Sequence, residues 1–548
     1  MTSPPVQVNS QKVDTGALAP LRNASFQRLW LASLVANLGL WMYSIASAWL
    51  MTSLSSSPLM VSLMQTASSL PAFLIGLPAG ALADIFDRRR LLVFSQIWLV
   101  IVVGCLALLT SLGGVTPGIL LTFTFLLGLG TAASGPVWPA AVTEIVPAAE
   151  LKAALTLQGS SVDLARAIGP VVAGIAIAAL GPWAVFGLNA IVGLGLILLL
   201  QTLPRSTRQA DQMPEQMGGA MRAGIRYALH APQLQVVLVR TGLCMAAASA
   251  LWALLPVLVR YDLQLGSEAF GILFGVMGAG SIVGAFTLPW LYNKFSTDVI
   301  LLTATVLYGL VLLGLASGIS FWGVCALMAL AGIAWIGLMS SLSIVITAAG
   351  SAWVRARALS LFQLVIQGSM ALGSLVWGTI ASTVGTPQAL ALAAVAMGLN
   401  LIAAIWLRLG AIEELDLTPA HSPFEADLAV APEPSDGPVL VLLEYDIAPQ
   451  HIPAFVESMH QLRRARERDG AMRWDLWQDT AIANRFTECF IVESWAEHYR
   501  QYQRFTVLDK TLEDTALSFA ESQAAKARFW VFAKPNRILP LRQAPDGG

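Results

Sequence analysis

Residues 80–90 read "GALADIFDRRR". An apolar run ends there in two acids and three consecutive arginines, and a second apolar run begins at once. Five charges in one short break make sense if the flanking runs lie where charge is excluded and the break does not. Composition agrees. The 548 residues are 56% hydrophobic and 12% charged, with a mean hydropathy of +0.68, whereas soluble proteins carry about 25% charge. The chain therefore reads as an integral membrane protein. A net charge of −1 points away from nucleic acid. Residues 1–25 are polar and lack the apolar core of a signal peptide. Cys105, Cys244, Cys325 and Cys489 fit no metal-ligand spacing and read as packing residues, so neither metal nor cofactor is expected.

Crossing ~30 Å of hydrocarbon takes about 20 helical residues. Twelve stretches qualify: 27–52, 58–83, 91–111, 117–141, 154–180, 182–203, 236–259, 268–292, 298–317, 320–348, 357–384 and 387–408, numbered here as spans 1 to 12. Gly and Pro punctuate the breaks because neither continues a helix cheaply. Lys and Arg set the orientation. With the N-terminus inside, the inner loops hold Arg88, Arg89, Arg90, Lys152, Arg205, Arg208, Arg222, Arg226, Lys294, Arg355 and Arg357, and Lys12, Arg22, Arg28 and Arg408 flank inner ends. The outer loops hold Arg260 alone. Fifteen against one puts both termini in the cytoplasm.

A shift of 204 residues lays Gly76 and Gly80 on Gly280 and Gly284, Ala154–Leu157 on Ala358–Leu361, and Gly169, Gly174 and Gly181 on Gly373, Gly378 and Gly385. One glycine match means little; three regions sharing one offset mark two parallel six-helix repeats. Such halves enclose a site at mid-membrane and rock about it. The domains follow: an N-terminal tail (1–25), a first half (26–203), an inter-half loop (204–235), a second half (236–408), an acidic Pro-rich linker expected to be flexible (409–437) and a final domain (438–541).

Over residues 26–408 this architecture resembles the major facilitator superfamily. The family's loop pattern after span 2, Gly-x-Leu-x-Asp-Arg-x-Gly-Arg-Arg/Lys, is matched at Gly80, Leu82, Asp84, Arg88 and Arg89, while Ile85 and Asp87 depart from it. Residues 26–90 look closer still to bacterial exporters similar to the enterobactin exporter, described as transmembrane secretion effectors. The resemblance implies that Asp84 meets span 11 across the seam between the halves. Gly80 would let span 2 approach its neighbour. Asp84, with Arg355 or Arg357 at the start of span 11, would close an inner gate. Arg88 and Arg89 belong to the same conformational element, and read more plainly as topology anchors. In span 5, Gly169, Pro170 and Gly174 resemble the Gly-Pro-x-x-Gly-Gly pattern of exporters in the superfamily, with Ala173 replacing the first of the final two glycines.

Asp163 and Arg166 lie three apart on one face of span 5, and ~1.5 Å per residue from Leu151 puts Arg166 near mid-membrane. A charge there costs several kcal/mol and persists when paired or facing water. Asp163 is the candidate proton-exchange group, and Arg166 the partner that tunes it and meets anionic substrate. Asn37, Trp41, Gln65, Trp252, Gln363 and Gln367 are cavity candidates, each otherwise a packing residue. No Walker A pattern is present, which argues against ATP drive.

The last domain reads strand 439–447, helix 451–468, strands 471–478 and 486–493, helices across 496–523, strand 528–533. The order βαββαβ is ferredoxin-like. With "IAPQHIPAFVESM" and "ESWAEHYRQY" it resembles the antibiotic-biosynthesis-monooxygenase type of dimeric α/β barrel, which implies pairing with a second copy. His498, Trp474, Trp477, Trp495, Tyr499 and Tyr502 are pocket candidates there, with His498 read first as a surface or dimer-contact residue. The expected protein is an all-α polytopic transporter with a ferredoxin-like tail. It is not expected to be an enzyme. Its role would be proton-coupled export of small amphipathic molecules, whether siderophores, drugs or metabolites. Import by the same fold, and an oxygenase anchored by its membrane part, are the alternatives.

Overall fold

The computed structural model describes residues 18–85, 87–202, 226–349, 351, 354–407, 418, 420, 428–521, 526–533 and 539. Lys12, Arg205, Arg208, Arg222, Arg408 and the side chain of Asp84 lie outside them.

Twelve helical segments among the described residues are long and apolar enough to cross a bilayer. They fall within a few residues of the sequence expectation: Ala24–Leu54, Pro58–Ile85, Arg88–Ser111, Pro117–Ile145, Leu151–Leu180, Pro182–Gln201, Pro232–Asp262, Ser267–Tyr292, Thr297–Ala316, Phe321–Ala349, Arg355–Val384 and Thr386–Trp406. Span 4 is two helices, Pro117–Ser134 and Val137–Ile145, parted at Gly135-Pro136. Span 7 ends in a π-helical turn, Leu258–Asp262. Asp87, where the superfamily pattern has a glycine, caps span 3 by accepting from the Arg90 backbone N–H at 2.8 Å. The residues form two compact units.

The first unit holds most of the spans, and its glycines display the repeat. A Cβ on Gly169 would meet Trp41 Cβ at 2.8 Å in span 1; one on Gly373 would meet Ala246 in span 7. A Cβ on Gly174 would fall 3.0 Å from Gly271 Cα of span 8, and one on Gly378 would run into Ser62 of span 2. Each half thus lays its fifth helix against the second helix of the other, through matched glycines. Gly181 and Gly385 end spans 5 and 11 at φ +87° and +95°, a backbone conformation open to glycine at no steric cost.

Gly80 differs from its repeat mate. Among the described residues, nothing lies within 4 Å of a Cβ placed on Gly76 or Gly80. At its repeat mate a close approach does occur: a Cβ on Gly284 would collide with Ile336 of span 10. Arg88 and Arg89 work within the first half. Arg88 binds Glu144 at 3.0 Å and the Ala140 carbonyl at 2.5 Å, and Arg89 donates to the Gln201 carbonyl. They fasten the ends of spans 4 and 6 to the start of span 3.

The second unit comprises residues within 213–239, 342–362 and 407–548. Its domain runs β1 (Val439–Asp446), α1 (Ile452–Asp469), β2 (Ala471–Gln478), β3 (Arg485–Val492), α2 (Trp495–Arg504), α3 (Val507–Leu517) and β4 (Lys526–Val531). The antiparallel sheet has the order β2-β3-β1-β4 of a ferredoxin-like fold. Val439, Val441, Tyr445, Phe486, Phe490 and Val492 alternate onto the helical face and bury against Phe455, Met459 and Leu462. The stretch read as a flexible linker is held where it is described. Ala420 N–H donates to the Phe505 carbonyl, Val507 N–H to that of Thr418, and Trp495 N–H to that of Asp436. Polar backbone groups on both sides supply the bonds that composition alone concealed.

Candidate functional site

A cavity of about 410 Å3 lies in the first unit between the two halves, within the 300–1,000 Å3 usual for small-molecule sites. Asn37, Trp41, Gln65, Arg166, Trp252 and Gln367 all line it. Gln363 does not: it is exposed, and it lies one helical turn, about 6 Å, nearer the start of span 11 than Gln367, beyond the cavity's edge. Asp163 is also outside the lining, with its side chain 40% exposed, but it keeps an ion pair of 3.7 Å with Arg166.

One wall is aromatic. Trp252 of span 7 faces Trp41 of span 1 at 5.9 Å, Phe274 of span 8 at 5.4 Å and Trp335 of span 10 at 5.2 Å, centroid to centroid. These spacings suit offset and edge-on contacts. Phe270, Phe274 and Trp335 escaped the sequence reading. A lone aromatic in an apolar span gives no sign of the side it faces, and only the crossing of the helices brings these rings together. The guanidinium of Arg166 lies 5.6 Å from the Trp41 ring, and its Nε is buried with no hydrogen-bond partner. A buried donor without an acceptor is costly. Here it borders the cavity, where a ligand oxygen could satisfy it.

The seam between the halves closes at one end of this unit. There Arg260, on the π-turn of span 7, donates to Ser53 Oγ at 2.8 Å and Thr52 Oγ1 at 3.3 Å of span 1, and stacks 5.1 Å from the Trp49 ring. Tyr261 donates to the Thr52 carbonyl at 2.7 Å, and Ser267 Oγ to that of Gly174 at 3.3 Å. Thr66 Oγ1 bonds the Ala371 carbonyl at 2.9 Å nearer the middle. Toward the other end, Gly76, Gly80 and Gly159 meet nothing among the described residues. Sequence reading counted Arg260 only as a lone outer cation; its bonds to hydroxyls and an indole leave no charge pattern to detect. The pair of buried Arg240 with half-buried Asp298, 3.3 Å, also went unnoticed, since its members are 58 residues apart.

In the second unit the expected aromatic pocket does not form. Trp477 and Tyr499 are exposed, whereas Trp474 is buried and donates to Glu488 at 2.9 Å. His498 is 1% exposed among Trp495, Tyr502 and Phe529, not a surface residue. Burial pushes its pKa down to about 4, so it is neutral at neutral pH. Beside it Glu497 gathers three arginines: Arg504 at 2.5 Å, Arg226 at 2.9 Å and Arg500 at 3.1 Å. Burial raises the Glu497 pKa, but the bonds and charge of Arg504, then Arg500 and Arg226, outweigh it and hold the carboxyl below its usual value. Arg226 precedes span 7, and its neighbour Tyr227 lies under the Arg468 guanidinium at 5.7 Å and reaches the Ala349 carbonyl at 3.4 Å. Among the described residues no cluster of metal-ligating side chains occurs.

A family model described as transmembrane secretion effector matches residues 15–534, and so runs through the tail as well as the spans. The staphyloferrin A transporter of Staphylococcus aureus is 25% identical over 52% of this chain and 71% of its own. The enterobactin exporter EntS of Salmonella typhi is 26% identical over 58% of this chain and 76% of its own. The crystal structure of the nucleoside transporter NupG superposes with a TM-score of 0.57 at 12% identity, covering 72% of this chain and all of that one, which shows a shared fold.

Proposed function

Because this chain belongs to the transmembrane secretion effector family of the major facilitator superfamily, we propose that it exports small amphipathic molecules bearing an aromatic surface and a negative charge. Siderophores, acidic drugs and acidic metabolites are all of that kind. The observation that carries this reading is Arg166, its Nε unsatisfied and its guanidinium over Trp41, at the edge of an aromatic cavity shared by both halves. The names of the relatives favour export over import. Twelve spans enclosing a charged cavity are more than an anchored oxygenase would need.

On the orientation set by the arginine count, the closed end faces outward and the cavity opens to the cytoplasm. That Gly76 and Gly80 of span 2 meet no described residue suits an open inner gate. Asp84, with Arg355 or Arg357, then closes that gate when the outer end opens.

Asp163 carries the proton. Its side chain is half-exposed and 3.7 Å from Arg166, so an anionic substrate bound at Arg166 competes with it for the guanidinium. In liposomes holding the purified protein, Asp163→Asn abolishes uptake driven by an imposed pH gradient and keeps substrate exchange near the wild-type rate. Unchanged gradient-driven transport in that variant overturns proton coupling through Asp163.

The tail regulates this cycle and pairs with a second copy. Support comes from Glu497, which holds Arg226 in the segment joining the halves. Glu497→Ala leaves three arginines facing one another. The domain from Val439 to Val531 becomes cleavable by protease at least about fivefold faster, and the transport rate changes with it. Faster cleavage with an unaltered rate overturns regulation through this contact, and a monomeric mass for the wild type in detergent overturns pairing.

A further inference from the structure

Beside the start of span 7, the second unit contains a cleft that the transport cycle does not use. Two adjoining cavities, about 560 and 620 Å3, share His230, Pro232, His460 and Arg464 in their walls. Arg463 and Arg468 extend the same wall.

The acids nearby are mostly spent. Glu467 binds Arg463 at 2.9 Å and lies 3.9 Å from His230. Asp509 binds Arg468 at 2.6 Å and caps α3 through Thr506. Two charged side chains are left over: Arg464 and Glu457, both exposed on α1, have no ion pair among the described residues. His460 stands between them, three residues from Glu457 and four from Arg464, so all three share one face of the helix. The cleft therefore offers donors for a phosphate and, one turn from His460 and two from Arg464, an acceptor for a cation.

Its position narrows the source. Pro232 opens the helix that carries span 7, a few residues before its apolar stretch. Leu229, an apolar side chain 65% exposed, lines the mouth. A ligand with a phosphate, an ammonium and an apolar body, delivered at the membrane boundary, matches all of these features. We propose that this cleft binds the headgroup of an ethanolamine phospholipid, with the phosphate on Arg464 and His460 and the ammonium on Glu457.

Native mass spectrometry of the full-length protein, delipidated and titrated with phosphatidylethanolamine or phosphatidylglycerol, tests this. The wild type should retain the ethanolamine lipid about tenfold better, the factor expected of one charge-assisted contact. Arg464→Ala should lose about tenfold in affinity for both lipids. Glu457→Gln should bind both equally. Both positions lie on the outer face of α1, so the fold is kept, and an unchanged circular dichroism spectrum checks it. Unaltered retention by Arg464→Ala overturns the proposal. Displacement of the lipid by millimolar inorganic phosphate overturns it too, by making a soluble phosphate the ligand.

Discussion

Gly271→Val should abolish transport while leaving the protein folded and in the membrane. A Cβ at Gly271 would stand 2.5 Å from the Pro170 carbonyl and 2.9 Å from Gly174 Cα, both backbone atoms of the opposing span 5. Neither can swing aside as a side-chain tip would. Overpacking of this kind costs about 1–3 kcal/mol, and the upper value is roughly a hundredfold in the balance between two states. The whole penalty falls on the conformation that closes this end. The variant should populate the opposite conformation, read as a longer spin-label distance across spans 5 and 8, with transport down by about a hundredfold. Gly271→Ala meets the same atoms with fewer of its own and should lie in between. Wild-type transport by Gly271→Val would show that this crossing is not part of the cycle.

Arg166→Ala should cost anionic substrates about ten- to a hundredfold in apparent affinity, the worth of a charge-assisted hydrogen bond at a desolvated site. Neutral aromatic substrates, held by Trp41, Trp252 and Trp335, should lose little. Arg166→Lys restores the charge but not the planar fork over Trp41, and should recover only part of the loss. Quenching of tryptophan fluorescence by a charged and an uncharged substrate of similar shape makes the comparison. Equal losses for the two would show that Arg166 props the cavity and does not read charge.

The spans could be read because the hydrocarbon core imposes a length and a composition on each one. The repeat could be read because its glycines mark backbone crossings that no larger residue tolerates, at Gly174 and Gly378 alike. Arg166 was visible for a related reason: a cation in mid-span is too costly to be incidental. What stayed hidden depends on where a helix turns its sides and how deep the cavity reaches. The sequence does not separate Gln367, in the cavity wall, from exposed Gln363. Gly80 matched a family pattern, yet whether span 2 touches a neighbour there depends on which end of the molecule is open. His498 looked like a surface residue beside Glu497; it is buried because α2 turns that face onto Phe529 of β4, well beyond it in the chain.

The clasp at the closed end is built without a carboxylate. Arg260 is held by Ser53, Thr52 and the face of Trp49, and its neighbour Tyr261 by a backbone oxygen. Arginine stays charged far beyond physiological pH, and hydroxyls, indole and peptide oxygen do not titrate there. Acid therefore leaves each of these bonds as it is. The latch is deaf to pH in its own bonds, so any acid signal for opening has to enter through other groups.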